Sequence, residues 1–492
     1  MDKIVPFGEW LPDMPELSNP GALTATNVFP RAQSYGPIKK LTPQASALAG
    51  RARGGVAARD AANDTYMYAA DAASIYEIRN QTPRTVGSSY AVAEAEDWEF
   101  AVFSGRVIAT NYNDHVVSLA IGTGSFTSHI TAPTTLSDTP KAKHIGVVRN
   151  QLVLGYTNSV TDGAQPNQVR WSAIGDSRDF VQNNATQSDS QLLPDGGQVQ
   201  RIIDGVEYGL IFQESTIRRM SYVGAPAVFD LDPIDRKRGT HVPKSVIGLG
   251  RSVFFYTEEG FFRNDGGSDS TPIGDQKIDK YLESVFDPAN AHYASSAVDR
   301  VNKLIMWALP TAAGIADRIY CFNYAIGRWS EIELSTQLLI SAQTQQYTLE
   351  DLDSISTDID NGVLDSFDSG TWRGGFFQLG AFQSNNRFST FSGANMAATI
   401  DTAEVQFTGG RNTFIENTRP LVDGGSPTVS IGHRSRNSDP VVFSEASSMN
   451  SIGECPQRNE DRYQRFRVNI PEDTDWEHAQ GVEVEFTPAG RR

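Results

Sequence analysis

The 492-residue sequence predicts an all-β protein: an extended N-terminal arm, a β-propeller-like domain of repeated strand pairs, and a small antiparallel β-sandwich. Three observations carry that prediction. A unit of β-rich run, short polar turn and second β-rich run returns seven times. Helical periodicity is scarce. After about residue 395 the pattern shifts to short alternations of apolar and polar side chains.

The chain opens on an arm over residues 1–50, which contains PFGEWLPDMPELSNPGALTATNVFP. Pro6, Pro12, Pro15, Pro20 and Pro30 each lack an N–H and fix φ, so no helix runs through. Phe7, Trp10 and Leu11 are too apolar for a solvated tail. They are the expected anchors of an assembly strap, held extended by the flanking prolines. The rival reading is that the arm closes the chain's own propeller. GALTATNVF (21–29) is a weak helix candidate.

The propeller domain is expected over 51–395. Its units are TYMYAADAASIYEI (65–78), VIATNYNDHVVSLAI (107–121), and LVLGYTN (152–158) with VRWSAI (169–174). They continue with YGLIFQESTIRRMSYV (208–223) and SVFFYTEEGFFRND (252–265). LIMWALP with DRIYCFNY (304–324) and GGFFQLGAF with NRFSTFSG (374–393) complete the series. Taking Tyr66, Val107, Leu152, Tyr208, Val253, Leu304 and Phe376 as starts, the units fall 41 to 72 residues apart, which suits blades of about four strands. QKIDKYLESVF (276–286) is the clearest helix, stopped by Asp287-Pro288. An acidic insertion occupies 348–370. The sandwich, over 396–492, follows from TIDTAEVQF, TVSIGHRS, VVFSEA, RYQRFRVNI and GVEVEFTP.

The balance of 42 basic and 59 acidic residues, net −17, argues against a protein that coats nucleic acid with Lys and Arg. Cys321 sits in the apolar run IYCFNY and reads as a buried thiol. Cys455 is far away, so neither a disulfide framework nor a zinc site is expected. No apolar run is long enough to span a membrane, and no secretory signal is visible at MDKIVPFGEW.

Catalytic signatures are missing from the sequence: no phosphate-binding loop, nucleophile elbow, HExxH or dinucleotide fingerprint. GTGSFT (122–127) reads as a hairpin turn. The seven histidines form no i, i+4 pair and read as single structural or surface residues. DIDNG (358–362) fails as a calcium loop, because aligning Gly362 to the glycine position places Ile359 where a ligand is needed. Trp171 and Trp329 follow strand ends and are expected to plug blade cores. Arg236, Lys237 and Arg238 form a basic turn that suits an acidic subunit neighbour or a solvated loop. No catalytic, cofactor or metal residue is assigned.

Several stretches form a recognisable series. Trp10, Pro12, Asp13, Asn19-Pro20-Gly21, Asn27-Val28-Phe29-Pro30 and Tyr35-Gly36-Pro37 stand at the start. YGLIFQESTIRRMSYVGAP, DRKRGTHVPKSVIGLGRSVFFYTEEGFF and PIGDQKIDKYL occupy the middle, AVDRVNKLIMWALP and NYAIGRWS come next, and RYQRFRVNIPEDTDWEHAQGVEVEF lies near the end. In this order they resemble the opening, middle, following blades and C-terminal sheet of the tail nozzle or hub proteins of short-tailed bacteriophages, a family that includes the packaged-DNA stabilisation proteins. The resemblance covers most of the chain in texture and order of motifs. It implies a propeller-based, non-enzymatic virion protein that assembles in the host cytoplasm into a homohexameric tail ring. Such a ring lies below portal and adaptor, holds fibres, spikes or a needle, and lets double-stranded DNA pass without sequence-specific contact. The alternatives are a propeller that binds a host receptor or attaches fibres, and a propeller glycosidase, which needs two paired carboxylates.

Overall fold

A computed structural model describes residues 1–490 except 18, 80, 135–137, 268, 312–314 and 345–374. The acidic insertion expected at 348–370 lies outside the described residues.

The seven sequence units are the second and third strands of seven four-stranded antiparallel meanders. The first is complete in Gly54–Arg59, Thr65–Ala70, Ser74–Arg79 and Thr82–Ser88. The next four blades begin at Glu99–Phe103, Lys141–Val148, Val199–Ile203 and Ile247–Leu249, and each is a separate sheet. The sixth begins at Ser295–Asp299. The 16-residue strand Arg328–Gln343 is the last strand of the sixth blade and continues as the first of the seventh. Phe377–Gln383 and Arg387–Asn395 follow, and Lys39–Ala47 from the N-terminal segment is the outermost strand. The seventh blade is thus closed by the beginning of the chain.

Side chains alternate across a strand, so each middle strand serves two neighbours. In Thr65–Ala70, Tyr66, Tyr68 and Ala70 pack with Trp98 and Val107 of the second blade. Met67 and Ala69 pack with Leu338, Ile340, Phe382 and Phe388 of the seventh. Comparable cores lie between every other successive pair of blades. Among the described residues the blades form a seven-bladed β-propeller. Between the fifth and sixth blades the core is aromatic, with the Phe261 ring 4.6 Å from Trp307 and 4.9 Å from Trp329. The indole N–H groups find carbonyls, as expected for blade-plugging tryptophans: Trp171 donates to Gln187 and Trp329 to Ile273. Both cysteines are free and buried.

Beyond Asn395 the strands form two antiparallel sets, the first continuous with the sheet of the sixth blade through Ala22–Thr26. Ala398–Thr402, Tyr463–Ile470 and Thr428–Arg434 make one; Ala479–Pro488, Thr413–Val422 and Cys455–Asp461 make the other. The N-terminal segment joins both. Asp2–Pro6 pairs with Ala479–Pro488, and Ala22–Thr26 pairs with Ala398–Thr402. A separate arm over 1–50 is therefore not what forms. The helix candidate at 21–29 is also corrected. It holds strands Ala22–Thr26 and Val28–Pro30, because Thr24, Thr26 and Val28 favour extended backbone and partner strands flank them. The helix expected at 276–286 forms as α1, Asp279–Val285.

The segment between Asp2–Pro6 and Ala22–Thr26 folds back onto α1 through Glu9, Trp10 and Asp13. Asp13 accepts from Lys280 N (3.0 Å) and Tyr281 N (2.7 Å), satisfying two free N–H groups at the helix start. Lys277 pairs with Glu9 at 2.7 Å, and the Trp10 ring meets Tyr281 edge-on at 5.6 Å. Truncating Trp10 to Ala removes an indole that is 1% exposed. It should cost about 3–5 kcal/mol, read as a lower denaturation midpoint in urea.

Next to this loop, burial pushes the Asp279 carboxyl up to about 7, with the Asp13 and Asp275 charges adding to the rise. Its folded form holds the proton more tightly than the unfolded chain. Stability therefore falls as pH rises from the ordinary carboxylate range through 7. Asp279→Asn should remove that slope and raise the melting temperature at pH 8, by on the order of 1 kcal/mol of stability once partial exposure is allowed for. Thermal melts of both proteins at pH 5 and pH 8 measure it.

Candidate functional site: a charged hub on the propeller axis

The first strands of the blades surround the axis, and one acidic segment crosses there. Residues 94–99 read Glu-Ala-Glu-Asp-Trp-Glu, leading into the second blade. Each of the four carboxylates meets a cation carried by another part of the ring. Glu94 accepts from Arg53 at 2.6 Å and from the Tyr293 hydroxyl at 3.3 Å. Glu96 pairs with Lys143 of the third blade at 3.1 Å. Asp97 pairs at 2.9 Å with Lys244, in the turn before the fifth blade. Glu99 pairs with Arg201 of the fourth blade at 2.6 Å and with His144 Nδ1 of the third at 2.9 Å, and accepts from Ile145 N at 3.1 Å.

Arg51 and Arg53 come from the linker between the closing strand and the first blade. Tyr293 ends the turn that leads into the sixth blade. Lys244 also donates to the Arg53 carbonyl at 2.9 Å. A Cβ on Gly54 would sit 2.5 Å from the Trp98 carbonyl oxygen, so glycine lets the first two blades approach at the axis.

Burial alone would raise the Glu99 pKa. Arg201 and His144 outweigh it and hold the carboxyl at about 2. The Lys244 ammonium is pulled below its ordinary value by burial, against the attraction of Asp97. Asp204, whose Oδ1 accepts from Val147 N at 2.6 Å, is raised by burial. Two small cavities adjoin the hub, about 180 Å³ beside Glu96, His144, Lys244 and His292, and about 120 Å³ beside Gly54, Arg201 and Leu338. His144 Nε2 and Arg201 Nε are buried without a partner among the described residues. No three His, Cys, Asp or Glu side chains among the described residues stand in a metal-holding arrangement. Chemically the hub is a set of cross-blade charge-assisted hydrogen bonds.

The residues singled out from sequence lie elsewhere. Phe7 (1% exposed), Trp10 (1%) and Leu11 (7%) are buried in the chain's own core, so these three side chains are not offered to a partner. The strap expectation is corrected on this point: the N-terminal strands supply the surface that covers them. In the basic turn, Arg236 pairs with Asp195 at 3.1 Å and Arg238 with Glu259 at 3.3 Å, while Lys237 is exposed. Sequence reasoning passed over EAEDWE, since an acidic run ordinarily reads as a solvated face. It also took His144 for an isolated residue.

Replacing Glu99 by Gln would leave Arg201 without its counter-charge and should cost roughly 3–5 kcal/mol, measured by chemical denaturation. Glu99 titrates below its unfolded value in the folded protein. Its contribution is therefore complete above the ordinary carboxylate range and is lost as pH falls towards 2. Glu99→Gln should flatten the acid limb of the stability profile.

Neither a protein-family model nor a curated protein sequence matches the chain. Solved structures match at low similarity. A chain of the Mitotic Checkpoint Complex is 8% identical with a TM-score of 0.42, covering 72% of this chain and 96% of that one. The computationally designed Ika8 protein is 10% identical with a TM-score of 0.38, covering 72% and 99%. BamB from Moraxella catarrhalis is 8% identical with a TM-score of 0.36, covering 74% and 93%. The propeller description rests on the strand pairing and the ring of inter-blade cores.

Proposed function

We propose that this chain is a structural subunit of a viral tail, a nozzle or hub ring that retains packaged double-stranded DNA and conducts it during ejection. The observation that carries the scaffold reading is the hub, where four successive carboxylates tie cations from several blades and from the closing linker. Those carboxylates are engaged in holding the ring, which supports a mechanical role in preference to acid–base chemistry. The place in a tail rests on the order of motifs from Trp10 to the C-terminal RYQRFRVNI.

In this reading the two C-terminal sheets form a β-sandwich, braced against the propeller by the N-terminal strands. The assembly is a homohexamer under portal and adaptor, with fibres, spikes or a needle attached. Its contacts use surfaces other than Phe7, Trp10 and Leu11. The net charge of −17 weakens adhesion to DNA phosphate, which suits a conduit.

Negative-stain microscopy of the purified chain with portal and adaptor tests the proposal. Six-fold rings stacked on the portal are expected. A chain that stays monomeric at assembly concentrations and ignores both partners would sink it.

A further inference from the structure

A further cavity lies away from the axis. It is a groove of about 550 Å³ where the sixth and seventh blades meet the N-terminal segment and the loop at 475–477. That volume is in the small-molecule range of about 300–1,000 Å³. Phe29, Met306, Leu379, Phe391 and Trp476 line its apolar part, and Phe377 stands 44% exposed beside Val301, which is 73% exposed. Arg300 stacks over one face of the Phe377 ring, 4.4 Å from its centroid, so a ligand would use the opposite face.

Polar groups interrupt the apolar lining. Acceptors come from Asp299, Asp475 and Glu477, donors from Arg31 and Lys39, and both kinds from Asn302, Gln378 and Asn395. The walls are braced. Asp299 accepts from Val301 N at 2.9 Å and from Asn302 Nδ2 at 2.7 Å. Asn395 donates to the Thr474 carbonyl at 2.9 Å, and Lys40 pairs with Glu472 at 2.7 Å. These bonds hold the turn, the blade strand and the C-terminal loop in register without ligand, so little ordering remains to oppose binding.

The charge pattern selects the ligand class. A phosphate or other anion would face three carboxylates, and a polycation would face Arg31 and Lys39. A purely apolar molecule would bury the amides and carboxylates without partners. A sugar ring fits both demands. Its C–H face lies on an aromatic ring, and its hydroxyls donate to carboxylates and accept from amides and cations.

We propose that this groove is a binding site for a neutral carbohydrate, with Phe377 as the stacking platform and Asn302, Asp475 and Glu477 as hydroxyl partners. The test titrates the full chain with soluble neutral oligosaccharides built on glucose, galactose, mannose or N-acetylglucosamine. Saturation-transfer NMR and tryptophan fluorescence are the readouts. At least one series should bind, and Phe377→Ala should weaken it by roughly ten-fold. Asn302→Ala should weaken it as well, with circular dichroism unchanged in both variants. Failure of every series to bind overturns the site. So does binding that neither variant changes, or preferential occupation of the groove by inorganic phosphate or by a lysine-rich peptide. The oligomeric state of the chain does not enter these outcomes, so the tail-ring reading and the carbohydrate site stand or fall separately.

Discussion

A ring of sheets has a seam, and the structure depends on closing it. Each blade is apolar on both faces, and a strand such as Thr65–Ala70 is buried throughout. The first blade therefore cannot be stable until the seventh covers its outer side. Lys39–Ala47 makes that possible by joining the outer edge of the last blade in antiparallel register with Arg387–Asn395. Chain entropy is spent once, over about 340 residues of separation, and that cost grows only slowly with loop length. In exchange, the core of Met67, Ala69, Leu338, Ile340 and Phe382 forms between first and last blades.

Closure brings the first strands of the blades together around the axis, where Glu99 and His144 are buried while Glu94 stays exposed. Apolar filling would hold the blades without ordering them. The acidic segment at 94–99 supplies directional contacts to the third and fourth blades, to the turn before the fifth and to the closing linker. Charges in such a place are stable only when paired and hydrogen-bonded. Glu99 illustrates the balance: burial works against its ionised form, and Arg201, His144 and the Ile145 amide together reverse that.

The N-terminal segment links the propeller to the sheets behind it. Before it reaches the closing strand it contributes to both C-terminal sheets, caps α1 through Asp13 and buries Trp10. Thr26 pairs in parallel with Glu331 of the sixth blade, so one hydrogen-bonded sheet runs from that blade into the C-terminal region. Relative motion of the two parts would break these contacts. The groove lies on this same junction, which is why its lining combines propeller strands with residues 29–39 and 475–477.

The sequence by itself determined the β class, the seven strand-pair units and their order. Those follow from side-chain alternation and turn residues, which act over a few positions. It also determined the plugging tryptophans, the buried thiol at Cys321 and the helix near 279. The first strands of the blades were not legible, since segments such as Ile247–Leu249 and Ser295–Asp299 are short and carry no strong alternation. The fate of Phe7, Trp10 and Leu11 was legible only as a need for burial, because the strands that cover them lie hundreds of residues away. The hub was invisible for the same reason. EAEDWE reads as a solvent-facing acidic run until Arg53, Lys143, Arg201 and Lys244 are brought to it. Only the tertiary structure decides which charges meet, because pairing depends on closure of the ring, and closure is a property of both ends of the chain at once.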